Sequence, residues 1–390
     1  MSQRNSLPAT RRRERGMTII EIMIGIVIGL LTVLIVYQVY GVSERYKRNT
    51  TTSGDAQTTG VYSMFTLARE IGNGGANLAN NVDDLLTCRL PVPGAAEDTG
   101  WALRSVPALI GTTGLGTDAD SDTVTVYYGA SNTIVTPAIF TATSAIGGVY
   151  RVQSPMGFTP AGGELVVAVN TASGECTRRR TTGVVVFDAA QGVVDVSVAG
   201  GAPVAVPSGS KLFNLGPEPR VQRLLFDVDP ATNALRVTDL ICPGGGCVPN
   251  PLAGNVMLFK AQYGVDIDGD GVLDVWTRPV AAGPLGLDWT AAALTNPNPA
   301  DAKALAQQIN RIKAVRIATV IRGDEPDPAL KAANQPTWDH TFFTNCPTAL
   351  CPLADNVNVS IPQAATLGWR YRAYETVVPL RNAIWNPVSP

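Results

Sequence analysis

Carboxylates at alternating positions mark one stretch of the chain as able to hold a cation: Val265-Asp266-Ile267-Asp268-Gly269-Asp270-Gly271-Val272-Leu273-Asp274. Acids at loop positions 1, 3, 5 and 9 with Gly at 6 match the opening of a calcium-binding loop of the EF-hand type, in which alternate side chains converge on one ion. Gly271 allows the sharp turn, and the Val272 carbonyl would add a further oxygen. Position 12 departs from the pattern, because Thr277 stands where a bidentate Glu is usual. The bland alternative is a hairpin turn, since Asp-Gly pairs also mark hairpins. Four acids this close repel one another unless a cation screens them, which favours calcium as a cofactor. Asp118-Ala-Asp120-Ser-Asp122 is a weaker echo that lacks the Gly, and capping of the strand beginning at Thr123 is the simpler expectation.

A second acid is notable for its solitude. Glu21 is the one charged residue between Met17 and Tyr40, within an otherwise apolar run. An ionisable group inside a membrane span is costly and is a functional hypothesis by default. The run is about 20 residues long, enough at 1.5 Å per residue to cross a hydrocarbon core of about 30 Å. Arg11, Arg12, Arg13 and Arg15 precede it, so the leader is expected in the cytoplasm and the C-terminal bulk outside. Tyr37 to Ser43 offers a poor small-x-small cleavage site, which argues against an ordinary secretory signal. Gly25 and Gly29 form a small-xxx-small pair, readable equally as a helix contact or as ordinary membrane-helix glycine.

The six cysteines lie beyond the span, in a compartment where disulfides persist. Closeness in sequence suggests Cys242–Cys247 and Cys346–Cys351 as small loops, leaving Cys88–Cys176. Catalysis finds little support. The single histidine, His340, lies in a polar stretch, and the chain has no His-Glu-x-x-His, no Gly-x-Ser-x-Gly and no phosphate-cradling loop. A net charge of −2 gives no basic footprint and no clear nucleic-acid site, and Arg178-Arg179-Arg180 is expected in a solvated turn.

The elements that must position these groups follow from periodicity and composition. With 38 Gly, 28 Pro and only 16% charged residues among 390, the bulk of the chain reads as turn-rich β structure. Val61, Met64, Phe65, Ala68 and Ile71 fall at helical spacing, and Asn73-Gly74-Gly75 is a stop signal. Between them and the span, Ser43 to Gly54 is poor in helix formers, so one long helix and two jointed helices both remain open. Residues 76–122 read as irregular. Strands are expected at Thr123–Tyr128, Ile134–Thr141, Leu165–Asn170, Gly183–Asp188, Val193–Val198, Val221–Val228, Ala234–Ile241, Asn255–Val265 and Leu273–Thr277. A helix capped at Asn298 carries Ala302, Leu305, Ile309 and Ile312, and leads into a strand at 314–322 with Val315, Ile317 and Ile321 on one face. A last strand is expected from Tyr371 to Leu380.

Gly16-Met17-Thr18-Ile19-Ile20-Glu21 resembles the class III signal of type IV pilins and type II secretion pseudopilins. The resemblance implies cleavage by prepilin peptidase between Gly16 and Met17, N-methylation of Met17, and a role for Glu21 in neutralising the amine of a neighbouring subunit. Met17 departs from the usual Phe. Ala68 to Gly74 and Val377 to Asn382 resemble PilW-type minor pilins, and the acidic loop is similar to the abbreviated calcium loops of secreted modules. The implied fold is α+β and type IV pilin-like: a long N-terminal helix, partly transmembrane, packed on a mainly antiparallel sheet with a large β-rich insertion. The implied organisation is a leader at 1–16, a helix at 17–75 with its span at 17–40, and a periplasmic domain at 76–390. The implied function is that of a non-enzymatic minor pilin of the type IV pilus, helping to initiate assembly near the tip. A type II secretion pseudopilin and a pilin-stemmed adhesin or DNA-uptake module are the alternatives. Implied partners are major and minor pilins, prepilin peptidase, the inner-membrane assembly machinery and a tip adhesin. The implied location is the bacterial inner membrane, single-pass, and then the pilus.

Overall fold

The computed structural model describes residues 16–77, 106–112, 120–131, 137–144, 149–153, 157–172, 174, 176–200, 205–241, 246–296, 301–326 and 368–384. One helix, α1, runs from Ile19 to Gly72. Compact units divide within it, between Gly54 and Asp55. The three threonines near residue 50 do not break it; Thr50 and Thr51 donate their hydroxyls to the carbonyls of Tyr46 and Lys47, four residues back. Of the two arrangements left open by propensity, the single helix is the one adopted.

In the first unit, the apolar residues from Met17 to Val42 stand exposed, and the span has mean hydropathy 2.9 with none of it buried. Gly25 and Gly29 face open space.

In the second unit, α1 is seated by Ala56, Gly60, Met64, Leu67 and Ile71, all buried. The expected stripe was partly misplaced: Val61 and Phe65 point outward and are 58% and 65% exposed, while Leu67 is fully buried. The helix ends where Gly74 donates to the Ile71 carbonyl at 2.9 Å and Gly75 takes a left-handed conformation (φ 76°). A Cβ on Gly60 would lie 2.3 Å from the Tyr374 ring, so only glycine lets the two surfaces meet there.

Fifteen strands follow among the described residues: β1 (Ala108–Thr112), β2 (Asp122–Tyr128), β3 (Ala138–Phe140), β4 (Tyr150–Gln153), β5 (Glu164–Val169), β6 (Cys176–Asp188), β7 (Val193–Val198), β8 (Lys211–Pro217), β9 (Gln222–Asp229), β10 (Ala234–Asp239), β11 (Asn250–Ala253), β12 (Val256–Val265), β13 (Val275–Thr277), β14 (Ile312–Arg322) and β15 (Tyr371–Pro379). They form a five-stranded sheet in the order β1-β2-β9-β10-β11, a four-stranded sheet in the order β13-β12-β14-β15, and a closed six-stranded barrel, β3-β4-β7-β6-β5-β8. Every pairing is antiparallel. Short links and alternating patterns make that the expected outcome. β1 lies in a stretch read as irregular, and β4, β8 and β11 were not anticipated. Three short α-helices are also found among the described residues: α2 (Ala291–Leu294), α3 (Ala302–Asn310) and α4 (Arg381–Ile384). The cap of α3 is Asp301, whose carboxylate accepts from the backbone N–H groups of Lys303 and Ala304; the expected cap, Asn298, lies outside the described residues.

One core joins α1 to both sheets. Met64, Leu67 and Ile71 meet Val124, Val126 and Phe226 of the five-stranded sheet and Phe259, Tyr263 and Ile317 of the four-stranded sheet. Each such side chain contributes about 1.5–3 kcal/mol on burial. Polar contacts lock β12 over β1 and β2. The Tyr263 hydroxyl accepts from the Ile110 N–H at 2.6 Å, and Asp122 accepts from the Ala261 N–H at 2.9 Å. Lys260 reaches Asp122 at 3.6 Å and donates to the Asp120 carbonyl. Asp120-Ser121-Asp122 therefore ties two sheets together. Burial pushes the Asp122 carboxyl up to about 6, against the pull of Lys260.

The Arg178–Arg180 segment corrects another expectation. It lies inside β6, paired with β5, and not in a turn. Arg179 is 5% exposed and Arg180 meets Glu218 at 3.3 Å. A charge run in a strand alternates between faces, which is why its composition misled.

Candidate functional site

Gly16, Met17 and Thr18 precede the first helical residue, and Glu21 falls in the first turn of α1. Thr18 and Glu21 form a reciprocal capping box. The Glu21 N–H donates to the Thr18 hydroxyl at 3.3 Å, and Glu21 Oε2 accepts from the Thr18 N–H at 3.0 Å and from its hydroxyl at 3.2 Å. This satisfies two of the orphan donors at the helix start and draws the carboxylate back toward Thr18 at the head of the helix. Thr18 had not been singled out, although Thr-x-x-Glu before an apolar run is the written signature of the motif. The carboxylate also sits at the positive end of the helix dipole. A positive group arriving beside Thr18 would find one carboxylate already oriented toward it.

The acidic loop joins β12 to β13, which pair as Tyr263↔Thr277, Gly264↔Trp276 and Val265↔Val275. Hairpin and acid cluster coexist. Carboxylate oxygens of Asp266, Asp268 and Asp274 all lie within 4.8 Å of one another. Asp266 is buried at 1% exposure and accepts from the N–H groups of Gly269 (2.6 Å) and Gly271 (3.0 Å). Asp274 accepts from the Ile267 N–H at 2.7 Å, and Asp268 from the Asp270 N–H at 3.1 Å. Gly269 and Gly271 both adopt positive φ, 83° and 86°, which lets the backbone fold around Asp266. Asp270 is not in the cluster; its carboxylate accepts from the Val272 N–H at 2.7 Å. Thr277 is buried and donates to the Arg278 carbonyl. Arg311 donates to the Asp266 and Ile267 carbonyls from behind. Oxygen-only donors of this kind suit a hard cation.

A third acid is paired within the chain. Glu70, near the end of α1, is 8% exposed. It accepts from Tyr128 at 2.5 Å and from Arg69 at 2.6 and 2.9 Å. Burial and the Glu70 charge both raise the Tyr128 hydroxyl well above its ordinary value. Cys176 and Cys247 each take part in a disulfide bond. Cys88, Cys242, Cys346 and Cys351 lie outside the described residues, as do His340 and Asp118, so the expected pairings do too.

Comparison with known proteins bears on both ends of the chain. Residues 11–37 match the family described as the prokaryotic N-terminal methylation motif, and residues 227–382 match type IV pilus-assembly protein W, PilW. No curated protein matches the chain. Among solved structures, a type IV-like pilin from Thermus thermophilus is similar at 13% identity, over 85% of this chain and 96% of its own, with a TM-score of 0.31. At that score the likeness is too loose to bear on function. Both family matches bracket features derived above: the capped start of α1, and the β12–β15 sheet with its acidic loop. The chain is therefore similar at its start to prepilin-type N-termini and over its C-terminal portion to PilW.

Proposed function

We propose that the chain is a minor pilin of the type IV pilus that helps to initiate assembly near the tip. Prepilin peptidase cuts between Gly16 and Met17, and Met17 is methylated. The helix holds the chain in the inner membrane, with the sheet domain in the periplasm, until assembly machinery and other pilins draw it into the filament. The observation that carries this reading is Glu21: a carboxylate turned toward the chain start, at the head of a helix whose apolar surface no other part of the described structure covers. In a low-dielectric setting such a charge attracts a neighbouring subunit's ammonium strongly, and each is costly alone. The role is structural, not catalytic. The PilW match favours the pilus over a type II secretion pseudopilin. Counting pili in a strain lacking the chain tests this. Pili should be scarce, restored by the full chain, and not restored by Glu21→Ala; normal piliation of the deletion strain would remove the assembly role.

The acidic loop supports a second element of the reading, a calcium site. Asp266, Asp268 and Asp274 would hold the ion. The ion would neutralise the clustered charge and fasten the β12–β13 turn. A rise in melting temperature on adding millimolar calcium is expected, and Asp268→Ala should abolish it. An unchanged melting curve in the full chain would dispose of the site.

A further inference from the structure

We propose that residues 129–221 are a self-contained module inserted into the scaffold, and that the scaffold keeps its fold without it. Tyr128 at the end of β2 and Gln222 at the start of β9 are registered partners in the five-stranded sheet. The chain therefore leaves and re-enters that sheet at adjacent positions, one strand spacing apart. The described strands between close on themselves: β3 to β8 pair with one another as a barrel, so among the described residues no scaffold strand depends on a barrel strand for its ladder.

The cores are separate in the same way. The barrel interior, built on Phe140, Tyr150, Val152, Val166, Val196 and Leu212, draws only on residues 138–212. The large core under α1 contains no residue between 129 and 221. Among the described residues the two meet in a satellite cluster, where Tyr127 and Ile241 of the scaffold pack with Leu165, Val167 and Leu215 of the barrel, and at the exit point, where Gly129 donates to the Ala76 carbonyl and Asn77 donates to the Ser131 carbonyl. The match to PilW begins at residue 227, just beyond the point of re-entry. Strand register and core membership place the same two boundaries, and the family match begins close to the second of them. The consequence is a division of labour, in which the barrel can change without disturbing the parts that hold α1 and the acidic loop.

Amide hydrogen exchange on the full chain in detergent micelles tests the division. Leu212→Ala removes a fully buried side chain from the barrel core. It should speed exchange in 150–153, 164–169 and 193–198 by about thirtyfold or more, and leave 256–265 and 312–322 unchanged. Equal acceleration in both sets would overturn the proposal. The stronger version replaces residues 129–221 by Asn-Gly, a two-residue hairpin link, with Tyr127→Thr and Ile241→Thr to suit the newly exposed face. Retained protection at 256–265 and 312–322 supports the proposal, and loss of protection there refutes it.

Discussion

Two glutamates on the same helix live in opposite circumstances. Glu70 is buried, and every demand it makes is met inside the chain, by Arg69 at its side and by Tyr128 from a strand. Glu21 is exposed on an apolar surface, and among the described residues its partner is Thr18, three residues away. The contrast separates an acid that helps to finish the fold from one that the fold leaves unfinished. An acid supplied with its counter-ion and hydroxyl within the molecule needs nothing from outside. One supplied only with a cap keeps its charge uncompensated, and in lipid that is an invitation to a cation.

The comparison can be broken in graded steps. The largest effect is the loss of piliation with Glu21→Ala, in a chain whose melting is unchanged. Glu70→Ala should do the reverse. It should lower stability by about 1–2 kcal/mol, read by denaturant melts, because the half-buried Tyr128 hydroxyl loses its carboxylate acceptor. Thr18→Val should cost about 1 kcal/mol at the helix start, seen as a partial loss of piliation that Thr18→Ser restores. An intermediate case, Asp122, sharpens the contrast through pH. Its folded carboxyl lies near 6, above the ordinary value of 3.8, so the folded state holds the proton more tightly. Stability from this group is full below about pH 4 and falls as pH rises through 6, by about 1–3 kcal/mol. Asp122→Asn should flatten that slope in melts taken from pH 4 to 7.

The parts of the molecule that could be read in advance are those fixed by neighbours in sequence. Gly16 to Glu21, the Asp266–Asp274 loop and its flanking strands, and the shared face of Val315, Ile317 and Ile321 all rest on spacings of a few residues. Thr18 was equally legible and passed over. The barrel was not, because closure depends on pairings such as Ala138↔Leu212 and Glu164↔Pro217 that local pattern cannot specify. For the same reason the seat of α1 was misjudged. Val61 and Phe65 are as apolar as Leu67, and only the surface opposite decides which of them is covered.

That decision comes down partly to an atom that is missing. Gly60 brings bare backbone against the Tyr374 ring, and in that seating the helix turns Gly60 inward, as a keyway holds a shaft. Val61, Tyr62 and Phe65 are thereby aimed outward as a consequence of what lies beneath, not by any preference of their own. A larger residue at 60 must push the Tyr374 ring aside or turn the shaft, and turning it would move the apolar ridge that the molecule shows to its surroundings.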